Sequence, residues 1–540
     1  MLAFRKRFIA FTLSAAATLL LLGLIAALPD WHGVLLAVLA VPGLLTLTGL
    51  YDLVQTRHAV LRNYPIIGHL RFLLEDIRPE IRQYFFEDDK SGMPFPRDKR
   101  AIVYQRAKHQ LDKRPFGTHY NVYDSQFEWL HHSIAPRPPA TEGFRLTIGG
   151  PDCRQPYDAS VFNISAMSYG ALSSNAIRAL NRGASLGHFA HDTGEGGISP
   201  YHREAGGDLI WEIGSGYFGC RAADGGFDAQ AFAATAADPQ VKMIEVKLSQ
   251  GAKPGHGGVL PRAKITPEIA AIRGVPMDRD CVSPACHSAF STPAGLLEFL
   301  AELRRLSGGK PVGFKLCIGH PWEFLGIVKA MLETGLTPDF IVIDGKEGGT
   351  GAAPLEFMDH IGMPLRDGLS FVHAALVGAN LRDRIKLGCA GKIVSGFDMA
   401  RVIALGADWC NAARGFMFAI GCIQAQHCHT GACPTGVATQ DPMRQRALDV
   451  PGKAERVARF HQDTVKSLAE ILAAAGLDHP KQLMPQHIMR RGVDGRIHSF
   501  NDRYPALKPG QLLEGAAGTI FEEPWALASA THFAPAPGSL

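Results

Sequence analysis

The sequence predicts an α/β protein built on a parallel (β/α)8 barrel of the TIM type. An N-terminal transmembrane helical hairpin precedes the barrel, and helical extensions flank it. Three observations predict this. Between residues 159 and 450, short β-rich runs alternate with helical stretches. Turns rich in glycine and polar residues recur just after those runs. Upstream, two long apolar runs are separated by one short polar turn.

The first apolar run, Phe8 to Leu28, holds no charged residue over about 20 positions, enough to span a bilayer as a helix. The second, Val34 to Leu50, is about 17 residues long and contains Pro42, still within the range of a span. Arg5, Lys6 and Arg7 precede the first run, Arg57 and Arg62 follow the second, and the turn between them has no Lys or Arg. The positive-inside rule then places both flanks in the cytoplasm, with the hairpin (residues 1–57) in the cell inner membrane. A signal peptide is the rival for the first run, but a second apolar run follows where a polar mature chain would begin. Residues 58–158 form a helical extension. Leu70, Leu73, Leu74 and Ile77 share one face at helical spacing, as in a layer packed on a larger domain.

The predicted strands are residues 160–165, 188–192, 242–249, 280–283, 312–317, 340–345, 385–390 and 408–413, with helices between most of them, such as Pro293 to Leu306 and Trp322 to Glu333. Eight strands over about 250 residues fit a closed barrel (159–450) better than a doubly wound open sheet. Active sites of such barrels lie at the C-terminal ends of the strands. There the chain reads AMSYG, TGEGG, QGAKPGHGG, KEGGTG, GKIVSG and Arg414-Gly415. Glycine lets backbone approach a ligand closely, and N–H groups at turns bind phosphate. Phosphate sites usually follow strands 7 and 8, which selects Gly391, Lys392, Arg414 and Gly415.

Cys422, Cys428 and Cys433 stand at C-x5-C-x4-C spacing, with Pro434 after the last. Thiolates this close in sequence suit an iron–sulfur cluster. Three ligands imply a three-iron cluster or a fourth ligand from elsewhere. Zinc with His427 or His429 is an alternative, although structural zinc sites use tighter spacings, and three buried free cysteines are another. Ten cysteines in 540 residues, without dense even spacing, fit a reducing compartment rather than a disulfide framework. A hydrophobic content of 46% is ample for a core, and a net charge of +4 is too mild to indicate nucleic acid. The C-terminal extension (451–540) opens with a helix from Ala454 to Ala475, ended by Gly476, and is expected to pack on the barrel without chemistry of its own. Residues 535–540 read as a disordered tail.

The stretches SAMSYGALS, HDTGEGG, KLSQGAKPGHGG, DGKEGGTGAAP, GCAGKIVSGFD and GCIQAQHCHTGACPTGVATQ, in this order, resemble the FMN-binding synthase domain of glutamate synthases. RNYPIIGHLR and IRPEIRQYFFEDD resemble a membrane-anchored, single-domain branch of that family. The resemblance implies FMN and a 3Fe-4S cluster on Cys422, Cys428 and Cys433. It also implies condensation of 2-oxoglutarate with ammonia to a 2-imino acid, which is reduced to L-glutamate.

By the same resemblance Lys253 and Arg273 bind the dicarboxylate, with Gln250 as a polar partner. Glu195 handles protons or ammonia beside Lys253. Met167 and Ser168 touch the flavin ring, and Ser168 also faces substrate. Lys315 places charge near the flavin N1–O2 edge, and Gly349, Thr350 and Gly351 complete the cofactor set. The plainer alternatives are a solvated turn carboxylate for Glu195 and a lysine paired within the barrel mouth for Lys315.

Val259 departs from the family, standing where many members carry a glutamine that helps bind the oxo acid. A different oxo acid or amine is therefore the alternative substrate. A catalytically inactive membrane electron-transfer protein is the alternative from another class. The chain begins Met1-Leu2 and shows neither the family's catalytic N-terminal cysteine nor an NAD(P) fingerprint. The expected partners are thus a ferredoxin or membrane redox protein as electron donor, and free ammonia or a separate amidotransferase subunit as nitrogen source.

Overall fold

A computed structural model describes residues 6–536. Arg5 of the predicted basic flank and residues 537–540 of the predicted tail lie outside the described residues. The chain divides into two compact units, Met1–Pro94 and Phe95–Leu540. The division falls inside the predicted 58–158 extension.

In the first unit, α1 (Ile9–Ala27) and α2 (His32–Val54) form an antiparallel hairpin through the turn Pro29–Trp31. Both are long and apolar enough, by length and composition, to cross a membrane. Apolar side chains stay exposed all round them. A polar seam joins the pair. Ser14 Oγ and Thr46 Oγ1 both donate to the Pro42 carbonyl, at 2.9 and 2.7 Å, and the Thr18 and Thr46 hydroxyls meet at 2.9 Å. The predicted stripe of Leu70, Leu73, Leu74 and Ile77 is helical as far as Asp76, and all four side chains are exposed.

The second unit holds a closed parallel barrel of β1 (Phe162–Ile164), β2 (His191–Asp192), β3 (Leu209–Ile213), β4 (Val241–Lys247), β5 (Val312–Leu316), β6 (Phe340–Asp344), β7 (Lys386–Ala390) and β8 (Trp409–Ala412), in that order around the ring. Seven of these match predicted strands. The prediction at 280–283 is corrected: only Cys281–Val282 is extended, and it pairs antiparallel with Val259–Leu260 in a small ribbon outside the barrel. The true third strand is LIWEI at Leu209–Ile213, buried at every position, so it shows no alternation to reveal it.

Alternation inside the barrel sets the floor of the site. Near the strand starts, the Phe340 and Trp409 rings meet edge to face at 5.9 Å. Gly388 makes room, because a Cβ there would lie 2.3 Å from the Trp409 indole. Helices Ser174–Gly187 and Val450–Ala474 cross tightly on the outside, where a Cβ on Gly183 would fall 2.4 Å from Val457. The predicted C-terminal helix thus packs on the barrel unit, and Gly476 ends it with a left-handed φ of 78°.

Candidate functional site

The C-terminal rim gathers a cationic pocket around one carboxylate. Glu195, three residues past β2, has an 18% exposed side chain, and its Oε1 lies 2.9 Å from Lys247 Nζ. Two glycines make its cradle: a Cβ on Gly214 or Gly258 would stand 2.6 Å from a Glu195 oxygen. Burial alone would raise the Glu195 pKa, but Lys247, with Lys253 and Arg273 behind it, more than offsets this and holds the carboxyl below its ordinary range. Glu195 is therefore an anion at neutral pH, not a solvated turn residue.

Lys247 ends β4, inward-facing like Glu245 two residues earlier. It also donates to Gln250 Oε1 at 2.5 Å. Lys253 is buried and donates to the Gly257 carbonyl at 2.8 Å. Burial lowers its pKa, with Glu195 opposing. Arg273 closes helix Pro267–Arg273, which Gly274 terminates at φ 62°. Its Nη2 donates to the Tyr169 carbonyl at 3.1 Å and reaches Ser168 Oγ at 3.5 Å, and its guanidinium lies 5.1 Å from the Phe218 ring centroid. Gly196 is required beside it, since a Cβ there would meet Nη2 at 2.9 Å and Ser168 Cβ at 2.8 Å. Glu195, Lys253, Gln250, Arg273 and Ser168 thus lie on one rim. Lys247 is the cation that sequence reasoning missed, although its place at the end of KMIEVK, in phase with Glu245, was a usable signal.

Lys315 lies deeper. It is 4% exposed, with Nζ bonded to Glu212 Oε2 and 3.0 Å from Glu245 Oε1. Its charge is met inside the barrel, the pairing alternative stated above. Asp192, Glu212 and Glu245 bring carboxylate oxygens within 4.8 Å of one another, and the Lys315 ammonium pairs with two of them, Glu212 and Glu245. One lysine cannot neutralise three buried carboxylates. Burial, then the neighbouring Asp192 and Asp344 charges, push Glu245 well above the carboxylate range, so it keeps a proton.

The predicted cofactor residues fall on adjoining rim loops. Met167 is buried. Gly349 lies within 3.6 Å of Arg414 Nη2 and Gly351 within 3.4 Å of Cys428, measured from the Cβ each lacks. Lys392 adopts a left-handed φ of 54° and stands over the Phe95 ring. Gly415 is buried behind Arg414 at the start of helix Arg414–Ala419. These turns follow β6, β7 and β8 at one end of the barrel, as predicted. A second, larger cavity lies at the opposite end, lined by Arg145, His373, Arg382, Asp408 and His479. Its arginines are already paired, Arg382 with Asp408 and Arg145 with Asp158.

The three cysteines share a loop pinned on both sides. Tyr104 donates to the Cys422 carbonyl at 2.7 Å, and the Gln424 amide makes two 3.1 Å bonds to the Phe95 backbone. Burial pushes the Cys422 thiol up to about 11, the Cys428 and Cys433 charges adding to it. Burial also acts to raise Cys433, but the Thr435 hydroxyl and the Ala438, Thr435 and Val437 N–H groups outweigh it and lower that thiol. N–H groups converging on a sulfur among mutually interacting thiols fit a thiolate-ligated cluster. All ten cysteines are free. Beyond Cys433, Gln440 Nε2 donates to the Gly170 and Leu172 carbonyls at 3.1 and 2.8 Å, tying the loop to the turn after β1.

Residues 154–478 match the conserved region in glutamate synthase. The glutamate synthase large subunit-like protein YerD of Bacillus subtilis is 36% identical over 489 residues, covering 83% of this chain and 93% of that one. An archaeal-type glutamate synthase [NADPH] of Thermotoga neapolitana is 34% identical over 347 residues, 64% of each chain. A ferredoxin-dependent glutamate synthase 2 of Synechocystis is 36% identical over 240 residues, 44% of this chain and 15% of that one. The chain spans just under two thirds of the archaeal-type relative.

Proposed function

The chain belongs to the glutamate synthase family and is an oxidoreductase of the class acting on CH–NH2 donors; from this premise we propose that it is an FMN- and iron–sulfur-dependent enzyme converting 2-oxoglutarate, ammonia, two electrons and two protons to L-glutamate and water. One observation carries the proposal. A carboxylate held ionised by Lys247, with Lys253 and Arg273 behind it, opens on the rim whose β1 turn is stitched to the three-cysteine loop.

The roles follow from charge and position. Arg273 and Lys253 bind the substrate carboxylates, Arg273 through a planar fork suited to two oxygens. Gln250, fixed by Lys247, donates its amide to the oxo acid. Ammonia adds to the 2-oxo carbon and water leaves, giving the 2-imino acid. Glu195, an anion at the start, takes the proton released by the adding nitrogen and returns one as water departs. FMN, when bound, supplies the hydride for the imine carbon. The protein's part is to hold that carbon in place and to exclude water. Ser168, Met167, Gly349, Thr350 and Gly351 line the cofactor's face. Gly391, Lys392, Arg414 and Gly415 hold its phosphate, and Cys422, Cys428 and Cys433 hold a 3Fe-4S cluster.

Electrons enter from a ferredoxin or a membrane redox protein, and ammonia comes from solution or from a separate amidotransferase. The hairpin anchors the enzyme in the inner membrane with the barrel in the cytoplasm, which retention of the protein by carbonate-washed membranes tests. Val259 favours a second reading, a different oxo acid. It starts the ribbon beside Gly258 and has no side-chain donor to replace the family's glutamine.

The test is anaerobic. Detergent-purified protein is assayed for flavin, iron and sulfide, reduced, and given 2-oxoglutarate with ammonium. Flavin reoxidation matched by glutamate is the expected result. Bound flavin and iron without reoxidation would move the assignment to another oxo acid, and absence of flavin would overturn it.

A further inference from the structure

We propose that Lys264 is a positioning residue for the cysteine loop and sets the reduction potential of its cluster; the inference rests on the iron–sulfur assignment above. Lys264 ends the short turn Arg262–Lys264, which follows the ribbon strand Val259–Leu260. It is 4% exposed. Its Nζ donates to the Cys428 carbonyl at 2.6 Å and reaches the Ala171 carbonyl at 3.5 Å. One ammonium therefore joins the backbone of a cluster ligand to the turn after β1, which carries Met167 and Ser168.

The electrostatics point the same way. A buried ammonium is costly unless an anion meets it. Among the described residues Lys264 forms no ion pair with a carboxylate; burial works against its charge, and Cys428 and Cys433 act the other way. Lys247 and Lys315, by contrast, each pair with carboxylates: Lys247 with Glu195, and Lys315 with Glu212 and Glu245. Two carbonyls satisfy the Lys264 hydrogen bonds but not its charge. The thiolate-ligated cluster is the missing counter-charge. Reduction adds one negative charge there, so a fixed cation nearby favours the reduced state and raises the potential. The segment from Lys253 to Lys264 also carries Gly257 and Gly258, so one stretch of chain serves both the substrate pocket and the cluster loop.

The experiment is an EPR-monitored redox titration of the purified full chain, with iron and sulfide measured on each sample, for wild type, Lys264→Met, Lys264→Gln and Lys264→Arg. Lys264→Met and Lys264→Gln should each move the cluster's one-electron equilibrium at least tenfold toward the oxidised form, 59 mV more negative. Lys264→Arg should restore most of the potential. Lys264→Gln retains a donor for the Cys428 carbonyl, so a normal iron content with a shifted potential isolates the charge from the strut. An unchanged potential in an iron-replete Lys264→Gln protein would overturn the inference alone. A wild-type protein without iron and sulfide would overturn the cluster assignment and the inference with it.

Discussion

Replacing Lys247 by Met removes the nearest countercharge from Glu195 while keeping an unbranched side chain of similar length. In the native site the pair stands at 2.9 Å, with side chains 10% and 18% exposed. Stranding one partner of a buried pair costs about 3 kcal/mol here, the low end of that range, because Lys253 and Arg273 still act on Glu195. In a barrel unit of this size that is about 3 °C in the melting midpoint. The pH dependence separates this cause from lost packing. Native Glu195 titrates below its unfolded value, so its contribution is present above the unfolded pKa and is lost as pH falls through the folded one. In Lys247→Met the burial contribution is less opposed and the folded pKa moves up. The stability deficit is then largest at pH 8 and shrinks toward pH 5 as Glu195 takes up a proton. Scanning fluorimetry of both proteins across that interval measures it, and Glu195→Gln in the Lys247→Met background should recover most of the midpoint at pH 8. A deficit independent of pH, or no recovery in the double variant, would refute the pairing argument.

Arg273→Lys keeps the charge but loses the fork that reaches Tyr169 and Ser168; kcat/KM for the oxo acid should fall 10- to 100-fold, about 1.4–2.8 kcal/mol, with the melting midpoint little changed. Gly251→Ala would put a Cβ 1.7 Å from the Gly345 carbonyl oxygen, so soluble folded protein should be lost, whereas Gly255→Ala, at φ 73° with no neighbour within 4 Å, should cost only about 1 kcal/mol in a denaturation assay. Cys428→Ser should lower bound iron to background while the far-ultraviolet circular dichroism of the barrel is retained, because Cys428 lies on a surface loop outside the strands. Lys315→Met leaves Glu212 facing Glu245 without the ammonium between them, and its destabilisation should be greater at pH 8 than at pH 6, where Glu245, held high by burial, more readily keeps its proton.

Local pattern alone determined much of this protein. The two apolar runs declare helices long enough for a membrane, because length and absence of charge are one-dimensional properties. Seven barrel strands, the glycine turns after them and the C-x5-C-x4-C loop are equally local, and each turn lies where a strand ends. Even so, LIWEI at 209–213 escaped, since a strand buried on both faces has no period to read, and DCVS at 280–283 misled, since so short an extended segment does not say which sheet it joins. Only the tertiary structure decided which charges meet. Lys247, Lys253 and Lys315 look alike along the chain, yet one holds Glu195 ionised, one bonds the Gly257 carbonyl, and one sits between two glutamates in the barrel interior. Lys264 has no local sign of function at all, and its partners are 93 and 164 residues away. Coulomb interactions and burial depend on distance in space, and closure of the barrel sets those distances.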